Sequence, residues 1–180
     1  DYIDCYMLHQ TESSEMVKNE VFHKAINILK REGRIKFSGV ACHGKTWINN
    51  SEETMEDILG TAIDDGRFDV ILLVYNFLHK NKGERILKRC KEKNIGTIVM
   101  KSNPVTRISP LIERFESSPD RWDQLAEWRK KRLTWYKERI GTIKSHVKEY
   151  IDKTHDEMLN GLAIPFVLNN QDVDSVVLSF

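Results

Sequence analysis

The sequence lacks the signatures that most often bind phosphates. No G-x-G-x-x-G follows any of its apolar runs and no G-x-x-x-x-G-K-[ST] is present, so neither a dinucleotide fingerprint nor a P-loop is available. "CHGKTW" at Cys42 looks superficially like part of a P-loop but lacks the first glycine and the full interval. Cysteine is scarce as well: Cys5, Cys42 and Cys90 are widely separated and odd in number, which fits neither a disulfide framework nor a C-x-x-C metal or redox pair. The expectation is a reducing compartment, the cytoplasm. No apolar run approaches the ~18 residues that span a bilayer, and the opening residues have none of the sections of a secretory signal. With 28 Lys and Arg against 27 Asp and Glu, the formal charge is +1, and no global field draws the chain to nucleic acid or an acidic surface.

What is present is an ordinary globular composition. The 180 residues are 40% hydrophobic and 31% charged, enough to bury one real core. The first ten, "DYIDCYMLHQ", read as a strand that closes on His9, with no polar lead-in. That abrupt start makes a piece of a longer chain the expectation. Four more strand-length apolar runs follow: "IKFSGV" from Ile35, "FDVILLVYN" from Phe68, "GTIVMKS" from Gly96 and "VDSVVLSF" from Val173.

Between them, Met16, Val17, Val21, Ala25, Ile28 and Leu29, then Met55, Ile58, Leu59, Ala62 and Ile63, then Ile86, Leu87 and Cys90 fall at helical spacings of three and four. Ser51 is the expected N-cap of the second helix; Gly33, Gly66 and Gly96 sit where helices end. Serial βα units of roughly thirty residues have two architectural solutions, a doubly wound open sheet and a (β/α)8 barrel. Both gather chemistry at the carboxyl ends of the strands.

Residues 106–160 break the rhythm and are expected to form a helical insertion before the last strand, as one long helix or as two parted at Gly141. Leu125, Trp128, Trp135, Tyr136, Ile140, Ile143, Val147, Ile151 and Met158 fall mostly on one stripe. "RKKR" at Arg129–Arg132 is basic, but Asp120, Asp123, Glu127, Glu138, Glu149 and Asp152 interleave with the cations nearby, the pattern of a solvated helix face rather than a nucleic-acid surface. The insertion could cover a cleft or make an interface.

At the strand ends, His9 reads either as a satisfied core histidine or as a catalytic one, and His43 lies at an equivalent position. No metal site is expected, because the two imidazoles have no carboxylate or thiolate partners at ligand spacing except Cys42. Cys42 in turn reads as a small buried residue or a nucleophile.

Taken together, the strand ends resemble those of the aldo-keto reductases. "DYIDCYMLHQ" is similar to the family's fourth strand, D-Y-I-D-L-Y-x-x-H. "REGRIKFSGVACHG" resembles the fifth, "RFDVILLVYNFLHK" the sixth, "RCKEKNIGTIVMKSNP" the seventh, and "GLAIPFVLNNQDVDSVVLSF" the stretch into the eighth. The resemblance implies an α/β fold, a partial (β/α)8 TIM barrel of about five parallel strands in one domain over residues 1–180. It also implies an NAD(P)H-dependent oxidoreductase that reduces a small-molecule carbonyl, with NADP or NAD as cofactor. On this resemblance His9 matches the His of the catalytic Asp, Tyr, Lys, His tetrad and polarises the carbonyl, while Cys42, His43, Met100, Lys101 and Ser102 fall at cofactor-binding positions.

The sequence also departs from the pattern. The strands that carry the Asp, Tyr and Lys of the tetrad are not among these residues. Ala41 stands for the fifth-strand Ser, Leu72 for the sixth-strand Gln, Met100 for an aromatic, and Ser179 and Phe180 for the usual P-G. These departures motivate an alternative, a non-catalytic binding or regulatory barrel. A complete five-stranded open domain is the third reading.

Overall fold

The computed structural model describes residues 1–44, 53–147 and 155–178. Five strands, β1 (Ile3–Leu8), β2 (Ile35–Cys42), β3 (Val70–Val74), β4 (Gly96–Met100) and β5 (Ser175–Val176), form one sheet in the order β1-β2-β3-β4-β5. Every pairing is parallel. A doubly wound sheet reverses direction at a switch point. Here each strand is laid beside the one before it, always on the same side, which is how a barrel wall grows. That order separates the two architectures left open by the sequence and argues against a complete open domain.

The connecting helices fall where the periodicity places them: α1 (Ser14–Val17), α2 (Glu20–Arg31), α3 (Met55–Asp65) and α4 (Lys80–Glu92). Asn19 caps α2 by accepting from Phe22 N–H. Ser51 lies outside the described residues, and the N-cap of α3 is Thr54, in a reciprocal capping box with Asp57. Gly66 ends α3 in the left-handed conformation, φ 72°. Gly96 does not end α4 but opens β4; Asn94, at φ 55°, takes the left-handed turn between them.

Register partners share a face of the sheet. On one face Val40, Cys42, Ile71, Leu73 and Val99 are fully buried beneath Ile58, Leu59, Ile63, Ile86 and Leu87 of α3 and α4. On the other, Phe37 is 51% exposed, and its register partner Cys5 and neighbours Leu72 and Ile98 are half-buried. Position 39, on this second face, takes glycine: a Cβ there would come within 2.9 Å of Met7 Cγ and 3.0 Å of the Val70 carbonyl oxygen.

Two carboxylates tie strands together by the same device. Asp69, just ahead of β3, accepts from the backbone N–H and hydroxyl of Ser38 in β2 at 2.8 and 2.9 Å. Asp174, just ahead of β5, does so for Thr97 of β4 at 2.8 and 3.0 Å. Among the described residues the last strand covers only Ser175–Val176 of the apolar run from Val173 and pairs with β4.

Beyond β4 the chain forms α5 (Pro104–Glu116), α6 (Pro119–Asp123), α7 (Glu127–Val147) and α8 (His155–Leu168). Gly141 lies inside α7 and parts nothing. These helices have a core of their own, Val105, Ile108, Ile112, Leu133, Tyr136, Ile140 and Leu159. The apolar stripe thus includes Leu133, which the sequence reading passed over, while Ile151 lies outside the described residues. Among the described residues no helix is long and apolar enough to cross a membrane.

Candidate active site

After β1 the chain turns sharply: Gln10 adopts φ 49°, and Thr11 N–H donates to the Ala41 carbonyl of the neighbouring strand at 2.9 Å. A left-handed conformation in a residue other than glycine is sparsely populated and is found often at functional sites. The turn sets the exposed His9 beside the end of β2, where its ring meets that of half-buried His43 edge to face, centroids 5.8 Å apart. Burial pushes the His43 imidazole down to about 4, with the positive charge of Lys101 and the proximity of His9 acting in the same direction. His43 is therefore neutral at neutral pH.

The end of β4 is the second sharp turn, with Lys101 at φ 56°. It is held from β3 by Asn76, fully buried, whose Nδ2 donates to the Lys101 carbonyl at 2.8 Å. The Asn76 Oδ1 accepts from the N–H groups of Leu78 and His79 at 2.9 and 3.1 Å, capping the short turn after β3. Asn76 thus spends its amide on backbone and acts as a strut between two strand ends. Its neighbour Tyr75 is fixed by Asn170, which donates to the phenol oxygen at 3.0 Å.

A cavity of about 550 Å³ opens at these strand ends, lined by Asn76, Lys101 and Ser102 from β3 and β4, by Val177 and Leu178 after β5, and by α5, α7 and α8. Arg132 and Tyr136 enter it from α7. Behind Tyr136, the His79 ring nitrogen Nε2 lies 3.1 Å from the phenol oxygen and its ring stacks on Trp135. Burial pushes the His79 imidazole down to about 4 and the Tyr136 phenol up to about 12.

The expected site residues therefore divide. His43 lies within electrostatic reach of both His9 and Lys101, which come from the ends of β1 and β4, and Lys101 and Ser102 line the cavity. Cys42 and Met100 have their side chains in the core. Burial raises the Cys42 thiol to about 11, so no thiolate nucleophile exists there at neutral pH. Among the described residues no cluster of three or more His, Cys, Asp or Glu is placed to hold a metal ion.

Sequence reasoning passed over Asn76 as a strut, although "YN" at the strand end was its signal. It also read Arg132 as one of four solvated cations in "RKKR", and only the tertiary packing of α7 distinguishes it from Arg129 and Lys131, which are exposed.

A family model described as the aldo/keto reductase family matches residues 1–180. Among solved structures, the chain is similar to PA4992 of Pseudomonas aeruginosa, described as an aldo-keto reductase. The two are 17% identical over 66% of this chain and 42% of that one, with a TM-score of 0.45. It is also similar to the thermostable aldo-keto reductase Tm1743, solved with the inhibitor epalrestat, at 15% identity over 98% of this chain and 49% of that one, TM-score 0.46. The chain spans less than half the length of either. No curated protein matches it by sequence.

Proposed function

We propose, from the premise that the chain belongs to the aldo/keto reductase family, that it is the carboxyl-terminal part of an oxidoreductase that reduces a small-molecule carbonyl to an alcohol with NADPH or NADH. The observation that carries this reading is the pairing of His9 with a neutral His43 just past the carboxyl ends of β1 and β2. His9 presents an exposed imidazole, so an N–H is available toward a carbonyl oxygen as negative charge develops there. His43, uncharged and partly buried beside it, limits the positions the His9 ring can take without adding a competing positive charge.

The residues present fit a nicotinamide dinucleotide in kind. A cavity of about 550 Å³ at the carboxyl ends of parallel strands, offering the Lys101 ammonium and the Ser102 hydroxyl, suits a polar, anionic cofactor. Lys101 and Ser102 would hold it directly, Met100 and His43 would border it, and Cys42 would contribute through its backbone. When bound, the reduced nicotinamide supplies the hydride that reaches the carbonyl carbon. The chain's own residues orient the substrate, through His9, and fix the cofactor-side loop, through Asn76. In this reading the Asp, Tyr and Lys that accompany the histidine come from a segment outside these residues. Three free cysteines support a reducing compartment, the cytoplasm.

Ala41 and Leu72 favour a second reading, a barrel that binds without chemistry. Ala41 is fully buried and Leu72 half-buried at positions where the family pattern has hydrogen-bonding side chains. The discriminating experiment is titration of the full-length protein with NADPH, followed by nicotinamide fluorescence, then turnover on a panel of aldehydes and ketones. Tight NADPH binding with turnover establishes the reductase; absence of nicotinamide binding overturns it.

A further inference from the structure

We infer that His79 is a positioning residue that couples the helical wall of the cavity to its strand-end rim: through Tyr136 it holds α7, and through Asn76 it ties that helix to the turn at Lys101. The coupling itself needs no ligand, and rests on the reductase reading only for the choice of NADPH as the molecule that fills the site.

Among the described residues the hydrophobic core is in two parts, one between the sheet and its helices and the other within the helical segment after β4. Phe77 and Leu78, in the short turn after β3, pack against the second core, so this turn is where the sheet body reaches the helical segment. His79 ends the same turn. Its ring stacks on Trp135 with centroids 5.2 Å apart and planes at 21°, meets Tyr136 edge to face, and places Nε2 3.1 Å from the Tyr136 phenol oxygen. On one face α7 buries Leu133, Tyr136 and Ile140. A bond to the phenol is therefore a bond to the packed side of the helix.

On its other side the His79 N–H donates to Asn76 Oδ1 at 3.1 Å, and Asn76 Nδ2 donates to the Lys101 carbonyl at 2.8 Å. Lys101, at φ 56°, keeps a conformation that a residue other than glycine holds only where its surroundings fix it. Tyr136, His79, Asn76 and Lys101 thus form one continuous hydrogen-bonded run from α7 to the end of β4, and three of them, Asn76, Lys101 and Tyr136, line the same cavity. Such a buried run behaves as a unit, because releasing one member leaves polar groups short of a partner. A side chain placed for packing alone would be apolar, as Phe77 and Leu78 beside it are.

Amide hydrogen exchange of the full-length protein, read over residues 100–103 and over α7, tests the coupling without requiring turnover. His79→Phe keeps a ring against Trp135 and removes the bond to Tyr136. Exchange should quicken on the order of fivefold in both segments. Tyr136→Phe cuts the same bond from the other end and should do the same, with nothing further lost in the double variant; where His79→Phe does not fold, Tyr136→Phe alone carries the test. Faster exchange in α7 alone makes His79 a local packing residue and overturns the coupling, as do unchanged exchange in both segments or fully additive effects in the double variant. NADPH should slow exchange in α7 as well as at the turn, and in His79→Phe at the turn alone. NADPH that binds without slowing α7 overturns the coupling and spares the reductase reading, while coupled exchange in a protein that binds no nicotinamide leaves the coupling standing and removes the reductase reading.

Discussion

The imidazole rings of His9 and His43 meet at 87° with their centroids 5.8 Å apart, one exposed at the end of β1 and the other half-buried at the end of β2. The backbone makes this meeting: Gln10 in the left-handed region and Thr11 bonded to Ala41 fold the end of β1 across its neighbour. If His9 is the donor toward the carbonyl oxygen, His9→Ala in the full-length protein lowers kcat by about 100-fold or more, the usual cost of removing one donor at developing negative charge. Binding of NADPH should change little. Steady-state kinetics alongside a cofactor titration checks this, and an unchanged kcat would remove His9 from the chemistry.

Both His43 and His79 are held near 4 by burial, against an ordinary value of 6.5. In each case the folded protein binds the proton less readily than the unfolded chain. Between about 6.5 and 4 the unfolded state therefore carries more protons, and stability rises with pH across that window. The contribution is complete above 6.5 and lost progressively as pH falls toward 4. Urea midpoints at neutral pH and at about pH 5 should differ in that direction. His79→Gln, which keeps a polar amide in reach of Tyr136, should flatten the dependence; an unaltered slope would place its origin elsewhere.

Much of the architecture was legible because each apolar run has a single period. "DVILLV" is continuous and strand length, as a strand covered by helices should be, and Met55, Ile58, Leu59, Ala62 and Ile63 describe one helical face that the structure buries entire. Strand order was not legible, since serial βα units suit two topologies and only tertiary pairing chooses between them. The site was read by position along strands, which named His9, Cys42, His43, Met100, Lys101 and Ser102 alike. The structure buries two members of that set on opposite faces, Cys42 beneath the helices and Met100 on the other face with its register partner Val74, because what packs over each pleat decides burial. Arg132 was hidden for a related reason: four consecutive cations cover all sides of a helix, and sequence does not tell which side packs.

Asp174 and Asp69 offer a test of the strand clasps. Thr97 is 2% exposed, and its backbone N–H and hydroxyl both end on the Asp174 carboxylate. Asp174→Ala leaves these buried groups without that acceptor and should destabilise the full-length protein by about 1–3 kcal/mol. Asp174→Asn retains one acceptor oxygen and should cost less. Chemical denaturation of the three proteins gives the order; equal stabilities would show that water or a neighbour replaces the carboxylate.

Gly83 in α4 leaves room for the Tyr75 ring, and a Cβ there would lie 2.4 Å from Tyr75 Cδ2. Tyr75 is 1% exposed and bonded to Asn170, so it has little space to retreat. Gly83→Ala should gain helix propensity but lose about 1–3 kcal/mol through overpacking. The displaced ring adjoins Asn76, so cofactor affinity should fall with stability. Unfolding midpoints and NADPH titration on the same variant check both; a stabilised protein would mean that α4 shifts freely away from the sheet.

The face of the sheet away from α3 and α4 supplies the last prediction. Ile3, Phe37 and Val177 are 50%, 51% and 53% exposed, and among the described residues β1 and β5 are the two edge strands of the sheet. Apolar surface of that kind beside unpaired backbone donors and acceptors is a template for association. Residues 1–180 expressed alone should therefore self-associate in dilute buffer, and Phe37→Lys should reduce the association by placing a charge on the exposed face. Light scattering against concentration measures both. A monodisperse monomer with a cooperative thermal transition would show that five strands and their helices suffice, and that the open face is tolerated in water.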